Sequence, residues 1–311
     1  MESTSLGNNT TLVEVSDSLA RHVEQALQST VAVNAREHMP STGVHWQQGV
    51  IVTAAHTVKR DEDITVSLPD GHTITARLAG LDLGTDLAAL RVDSVELPVA
   101  KLGNSSTLKL GQLVLAVGHG GNRGQFAGLG IVRGLGGVWR TWRGAQIERF
   151  IRPDLSLYPG FSGSALVNTQ GLVVGINTTG LSRRSPLTIP TSTVHTVVAE
   201  LLKKGRIARG FLGVGLQPVC LPDSLKHKLN LAGQNGVILL GVEPDGPADK
   251  AGFLIGDVLL KLDGKVMAEI SDVQDILAPE YVGKTIKASL IRAGNSVECS
   301  LTIGERPGSK D

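Results

Sequence analysis

Tyr158-Pro159-Gly160-Phe161-Ser162-Gly163-Ser164-Ala165-Leu166-Val167 decides how this chain is read. It sets a serine between two glycines immediately before a short apolar run. A serine hydroxyl is a poor nucleophile at neutral pH. Such a turn carries chemistry only if a base can take the proton and backbone amides can hold the developing oxyanion. Gly160 and Gly163 allow a tight turn that points the amides of Gly160 and Ser162 at one spot. Alone, the turn is also an ordinary surface loop, so the rest of the chain has to supply a histidine and a carboxylate.

Both are present upstream, each at the end of an apolar strand. Gly49-Val50-Ile51-Val52-Thr53-Ala54-Ala55-His56 ends a strand on a histidine, and Leu83-Gly84-Thr85-Asp86-Leu87-Ala88-Ala89-Leu90 puts an aspartate at the head of another. His56, Asp86 and Ser162 occur in that order, the first two in one β unit and the serine in the next, so a site built from them lies at a seam between units.

The remaining pattern is consistent with a mainly β body. A chain of 311 residues with 38 glycines and few aromatics suits short strands joined by tight turns, in about two domains. Strands are expected at 31–35, 49–53, 64–68, 73–81 and 87–92, then at 113–117, 128–133, 146–151, 164–167 and 172–177. These make two β units in tandem, each large enough for a small barrel. Residues 1–15 read as a mobile arm. Ser16 or Asp17 would then cap a short helix with Leu19, Val23, Ala26 and Leu27 on one face. Thr191 is expected to cap a second helix, which Gly205 terminates.

A compact unit of about 95 residues follows from Gly210. It has a helix over 271–278 with capping-box spacing at Ser271 and Gln274, and a final strand pair across Ala293-Gly294-Asn295.

Composition bounds the partners. The net charge of +1 gives no reason to expect nucleic acid or a charged membrane surface, and no apolar run is long enough to span a bilayer. Cys220 and Cys299 fit no metal or redox spacing and read as unpaired thiols packed as small apolar groups. With no signal-peptide core, the sequence as it stands reads as soluble and cytoplasmic, or as periplasmic or cell-envelope if a leader has been removed.

Taken together, these motifs resemble those of HtrA/Deg-type serine proteases over most of Val31–Ile303. Thr53-Ala54-Ala55-His56 is similar to the family's histidine motif, Thr85-Asp86-Leu87-Ala88 to its aspartate motif, and Gly160-Phe161-Ser162-Gly163-Ser164 to its Gly-Asn-Ser-Gly-Gly motif. Gly103-Asn104-Ser105, Gly175-Ile176-Asn177-Thr178 and Arg209-Gly210-Phe211-Leu212-Gly213-Val214 match as well.

The resemblance implies a chymotrypsin-like double six-stranded β-barrel followed by one PDZ domain. The divisions would be an arm and helix over 1–30, a protease over 31–205 and the PDZ domain over 210–305. It implies ATP-independent hydrolysis of peptide bonds in misfolded or unstructured proteins, without cofactor or metal. His56, Asp86 and Ser162 would be catalytic, and Gly160 and Ser162 would form the oxyanion hole. The substrate pocket would involve Ser156, Ile176, Asn177 and Thr178. Ser156 is not a carboxylate, so a small or medium apolar side chain is expected at the cleavage site rather than a basic one. Phe211, Leu212, Gly213 and Val214 would form the PDZ carboxylate loop, with Val273 and Ile276 or Leu277 on the other wall, binding peptide C-termini. A homotrimer or larger assembly of trimers is implied, joined through the segment before Val31.

Some positions depart from the family pattern. Phe161 stands where the family has a polar residue. It is either a neutral change or the support of a collapsed loop that leaves the oxyanion pocket unformed at rest. In the latter case the chain would act as an inactive or resting peptide-binding protein through its PDZ domain. His119 and the pair Arg183-Arg184 read as solvated surface groups, and Asp154 as a structural hydrogen-bonding residue.

Overall fold

The computed structural model describes residues 7–93, 96–182, 185–231 and 233–306, with the side chains of 7–10 excepted. The Arg183-Arg184 pair lies outside the described residues. The chain divides at Ile207/Ala208 into two compact units.

In the first unit, six strands close a barrel: β1 (Thr30–Asn34), β2 (Ser41–Gln47), β3 (Val50–Ala54), β4 (Ile64–Ser67), β5 (Thr73–Asp82) and β6 (Leu87–Val92), in the order β1-β2-β3-β6-β5-β4. The chain then forms β7 (Leu113–His119), β8 (Gln125–Gly136), a two-stranded pair β9 (Trp139–Arg140) and β10 (Gln146–Ile147), β11 (Phe150–Asp154), β12 (Ala165–Asn168), β13 (Val173–Thr178) and β14 (Leu187–Pro190). A second closed barrel runs β11-β14-β13-β12-β7-β8.

The apolar run of β3 shows how the two barrels share a core. All five of its residues are buried, because alternate side chains enter different clusters. Ile51 points into the first barrel with Val31, Ile64 and Leu90. Val50 and Val52 join Leu115, Val117, Ala165, Val167 and Ile176 of the second barrel. A strand covered on both faces reads as a continuous hydrophobic run rather than an alternation.

Two helices flank the barrels. α1 (Gly7–Leu27) starts well before the expected cap at Ser16 or Asp17, so the segment from Gly7 to Val15 is helical rather than an arm. Its Asn, Thr and Val residues have weak helix propensity. Growing a helix outward from turns already docked through Leu19, Val23, Ala26 and Leu27 is easier than nucleating one. After β14, α2 (Thr191–Lys204) ends at Gly205, which takes the left-handed conformation (φ 74°) and donates its amide to Leu201. Thr191 is its first helical residue rather than its cap. Pro190 holds the cap position, and the Thr191 hydroxyl donates to Gly103 O at 3.0 Å.

The second unit contains β15 (Gly210–Phe211), β16 (Val214–Cys220), α3 (Asp223–Leu229), β17 (Asn235–Val242), α4 (Pro247–Lys250), β18 (Val258–Leu262), β19 (Lys265–Val266), α5 (Ile270–Ile276), β20 (Thr285–Arg292), β21 (Asn295–Thr302) and β22 (Gly304–Glu305). Its main sheet runs β16-β17-β18-β20-β21 over a core of Leu239, Leu259, Val273, Ile276 and Leu301. The capping box at α5 is real but lies two residues ahead of the expected pair. Glu269 and Asp272 bond reciprocally across the helix start, where Ser271 and Gln274 were expected.

The hairpin β20–β21 turns on Ala293 (φ 46°) and Gly294 (φ 76°), the two left-handed residues of a tight two-residue loop. Cys299 is half-buried, whereas Cys220 is exposed on β16 and so is not packed as an apolar group. No helix among the described residues is long and apolar enough to cross a membrane.

Candidate active site

Strand register brings the histidine and the aspartate together. Ala54 of β3 pairs with Leu87 of β6, so the turn after one strand and the turn before the other emerge side by side. His56 follows Ala54 on a short 3-10 turn, and Asp86 precedes Leu87 with its backbone in the left-handed region (φ 59°), a conformation that Asp tolerates better than most residues. The Asp86 carboxylate, 2% exposed, is an acceptor on every side. Oδ1 accepts the His56 backbone amide at 2.7 Å, Oδ2 lies 2.7 Å from His56 Nδ1, and the Thr178 hydroxyl donates to Oδ2. A carboxylate ringed by donors fixes the imidazole proton on Nδ1 and leaves Nε2 free to act as a base. The preceding turn is held by Asp82, which accepts from the Gly84 and Thr85 amides and from the Thr85 hydroxyl.

Ser162 arrives from the second barrel, on the loop between β11 and β12. Thr42 of β2 staples that loop across the seam. Its amide donates to Gly160 O (3.1 Å) and Ser162 O (3.2 Å), and its hydroxyl donates to Gly160 O (2.9 Å). Gly163, at φ 88°, packs so closely that a Cβ there would sit 2.0 Å from Thr42 O, which only glycine avoids. Among the described residues, the amides of Gly160 and Ser162 donate to no protein acceptor, whereas the Phe161 amide closes a turn on Tyr158 O at 3.0 Å. The Ser162 hydroxyl bonds the Thr179 hydroxyl at 3.1 Å, and no hydrogen bond joins it to His56.

Phe161 is 6% exposed and packs in the second-barrel cluster with Leu155, Leu166 and Val174, its ring 4.1 Å from that of Phe126. The loop is thus anchored by an apolar side chain. His119 is buried (6% exposed), not a solvated surface group. Its Nδ1 accepts the Gly121 amide at 3.0 Å, its backbone amide bonds the Thr42 hydroxyl, and burial lowers its pKa. Asp154 is exposed at the end of β11, without a side-chain hydrogen bond among the described residues, so the structural bonding role expected of it is absent.

His56, Ser162 and Gly160 open onto one cleft of about 790 Å³, shared with Leu157, Tyr158, Pro159 and Thr179 on one side and Arg36, Met39, Lys59 and Arg60 on the other. The four expected pocket residues are elsewhere. Ile176 is in the core between the barrels. Asn177 is fully buried between the hydroxyls of Ser164 and Thr188, Thr178 is occupied with Asp86, and Ser156 is exposed outside the cleft lining. Side chains in a strand alternate, so a matching run of letters marks the wall without saying which residues face the substrate. Leu157 and Tyr158, on the loop before the serine, line the cleft, as do Thr179 and the Arg36–Arg60 side, which no motif in the sequence marks.

In the second unit, a groove of about 180 Å³ is lined by Phe211, Leu212, Gly213, Val214, Val273 and Leu277 together with Leu216, Ile270, Gln274 and Arg306. Ile276 faces the core instead, fully buried. The groove side of α5 follows the 3.6-residue period through Ile270, Val273, Gln274 and Leu277, and Ile276 is off that stripe.

Comparison with known proteins agrees with this layout. Residues 41–176 match the trypsin-like peptidase domain, and residues 210–303 match the PDZ domain. A probable periplasmic serine endoprotease, DegP-like, of Halomonas elongata is 33% identical over 269 residues, covering 85% of this chain and 56% of that protein. The serine protease Do-like HtrA of Lactobacillus helveticus is 36% identical over 282 residues, covering 86% of this chain and 67% of that protein. The chain spans about half the length of the DegP-like relatives it matches. Among solved structures, the HtrA-type protease AlgW with a decapeptide superposes with a TM-score of 0.72 at 29% identity, covering 93% of this chain and 99% of that one. The serine endoprotease from Yersinia pestis gives 0.72 at 31% identity, covering 93% and 98%.

Proposed function

The chain belongs to the HtrA family of serine proteases with a trypsin-like domain and a PDZ domain, and from that premise we propose that it is an ATP-independent serine endopeptidase acting on misfolded or unstructured proteins. One observation carries the reading: a buried carboxylate holds His56 by Nδ1 at 2.7 Å in the cleft that Ser162 also lines.

Ser162 Oγ attacks a peptide carbonyl while His56 Nε2 takes its proton, then returns it to the leaving amine. Water repeats the cycle on the acyl-enzyme. Asp86 orients the imidazole and balances its charge. The amides of Gly160 and Ser162 receive the oxyanion, a contribution worth about 100- to 1,000-fold in turnover for a single donor.

The groove between Phe211–Val214 and α5 supports capture of a peptide C-terminus, which adds as a strand along β16. The apolar Leu12, Val13 and Val15 on the first turns of α1, exposed at 70%, 56% and 45%, support self-assembly as a trimer through that helix. The periplasmic description of the DegP-like relatives favours a cell-envelope location.

Treatment of the full chain with a fluorophosphonate, followed by intact mass and peptide mapping, tests the reading. A single adduct on Ser162, absent from Ser162→Ala, is expected. If no adduct forms, even with unfolded casein and a C-terminal peptide present, the endopeptidase reading fails in favour of a peptide-binding protein.

A further inference from the structure

Three consecutive residues, the last of β13 and the two that follow it, each touch one of the three groups assigned to catalysis. Thr178 donates its hydroxyl to Asp86. Thr179 shares a 3.1 Å hydrogen bond with Ser162 Oγ. Gly180 lies against the imidazole, where a Cβ would sit 2.6 Å from His56 Nδ1 and 2.5 Å from Asp86 Oδ2. The Thr178 hydroxyl also accepts the Gly180 amide at 2.9 Å, bending the segment back over the Asp86–His56 pair.

We propose that Thr179 is a positioning residue that latches the nucleophile at rest, holding Ser162 Oγ away from His56 until a substrate chain in the cleft displaces it. This rests on the reading of Ser162 as the nucleophile. In the latched sense Ser162 donates, and its proton points at Thr179 instead of at Nε2. If Thr179 donates instead, it takes up one of the two Oγ lone pairs and weakens the oxygen as a nucleophile without blocking it. Among the described residues, Ser162 Oγ has this bond and none to His56.

The latch is also placed to open. Asn177 and Thr178 are fully buried and hydrogen-bonded, whereas Thr179 and Gly180 are exposed and Thr179 lines the cleft. The boundary between buried and exposed residues therefore falls between Thr178 and Thr179. Breaking one neutral hydrogen bond is a small cost, so the latch restrains basal reactivity without preventing it.

The test compares the second-order rate of fluorophosphonate labelling of Ser162 in the full chain for wild type, Thr179→Val, Thr179→Ala and Thr179→Ser, with Ser162→Ala as the blank. Thr179→Val and Thr179→Ala should label about 2- to 10-fold faster, the range one net hydrogen bond allows. Thr179→Ser, which keeps the hydroxyl, should behave as wild type. Steady-state cleavage of a peptide should show the gain as a lower KM with kcat little changed, because bound substrate has already opened the latch. A merely structural role would lower kcat instead. Labelling of Thr179→Val at or below the wild-type rate, with wild type still labelled, overturns the latch and leaves the nucleophile reading intact. No labelling of any of the four overturns both.

Discussion

Removing the Phe161 ring should destabilise the first unit and loosen the serine turn together. The side chain is 6% exposed in a cluster that includes Leu108, Val132, Ile151 and Leu166, and its ring meets Phe126 at 4.1 Å and 41°. A buried Phe→Ala change costs about 3–5 kcal/mol, including the void it leaves. Phe161 also borders a small cavity of about 230 Å³ under Gly160, and this open side lets the site relax, so the low end, about 3 kcal/mol, is expected. For a unit of roughly 200 residues, each kcal/mol lowers the melting midpoint by about 2–4 °C, giving a fall of about 6–12 °C. Differential scanning calorimetry of the full chain measures it. Phe126→Ala attacks the same contact from the other side, so the double variant should lose about 0.5–1.5 kcal/mol less than the sum of the singles. Phe161→Asn, which restores the family's polar residue, should be no more stable than Phe161→Ala, because it leaves an amide among apolar groups. A Phe161→Ala midpoint unchanged from wild type, with unchanged labelling of Ser162, would refute the idea that an apolar anchor shapes this turn.

Two further outcomes follow from hydrogen-bonded carboxylates. In the second unit, Asp257, 2% exposed, takes two bonds from Arg292 (2.9 and 2.7 Å) and one from the Leu254 amide (2.9 Å). Burial alone would raise its pKa, but the Arg292 hydrogen bond, the Leu254 amide and the Arg292 charge together hold it below the ordinary value. A depressed folded pKa means this stabilisation is complete above the unfolded value near pH 4 and is lost as pH falls through the lower folded value. Acid titration of stability should show that loss in wild type, with a smaller acid-dependent loss in Arg292→Met. At neutral pH, Arg292→Met should cost about 2 kcal/mol, the low side for a broken pair because a third of the Arg292 side chain is already in water. In the first unit, Thr178→Val removes one donor to Asp86 and should lower kcat about tenfold with little change in KM, measured by peptide hydrolysis.

The chemistry was legible in the sequence because it is carried by short local strings. His56 and Asp86 end apolar strands, and Ser162 sits between glycines, so each could be read without knowing its neighbours. What could not be read is tertiary. β2 has no apolar strand signature because Ser41, Thr42 and His45 are polar, yet all three are buried with partners. His45 Nδ1 bonds Pro98 O at 3.1 Å, and its Nε2 accepts the Gly49 amide at 3.3 Å. Phe161 looked anomalous until Phe126, far off in sequence, supplied its partner. Asn177 and Thr178 matched a pocket motif but are consumed in bonds to Ser164, Thr188 and Asp86, which no string of letters encodes. The helix at Gly7–Leu27 outruns the cap that Ser16 or Asp17 offers because docking of its later turns extends it.

Cleavage of unfolded casein by wild type and by Ser162→Ala, at equal concentration without ATP, tests the central claim most directly. Wild type should generate peptides progressively, and Ser162→Ala should generate none above background. Equal cleavage by both, or none by wild type even with a C-terminal peptide added, would contradict a catalytic Ser162.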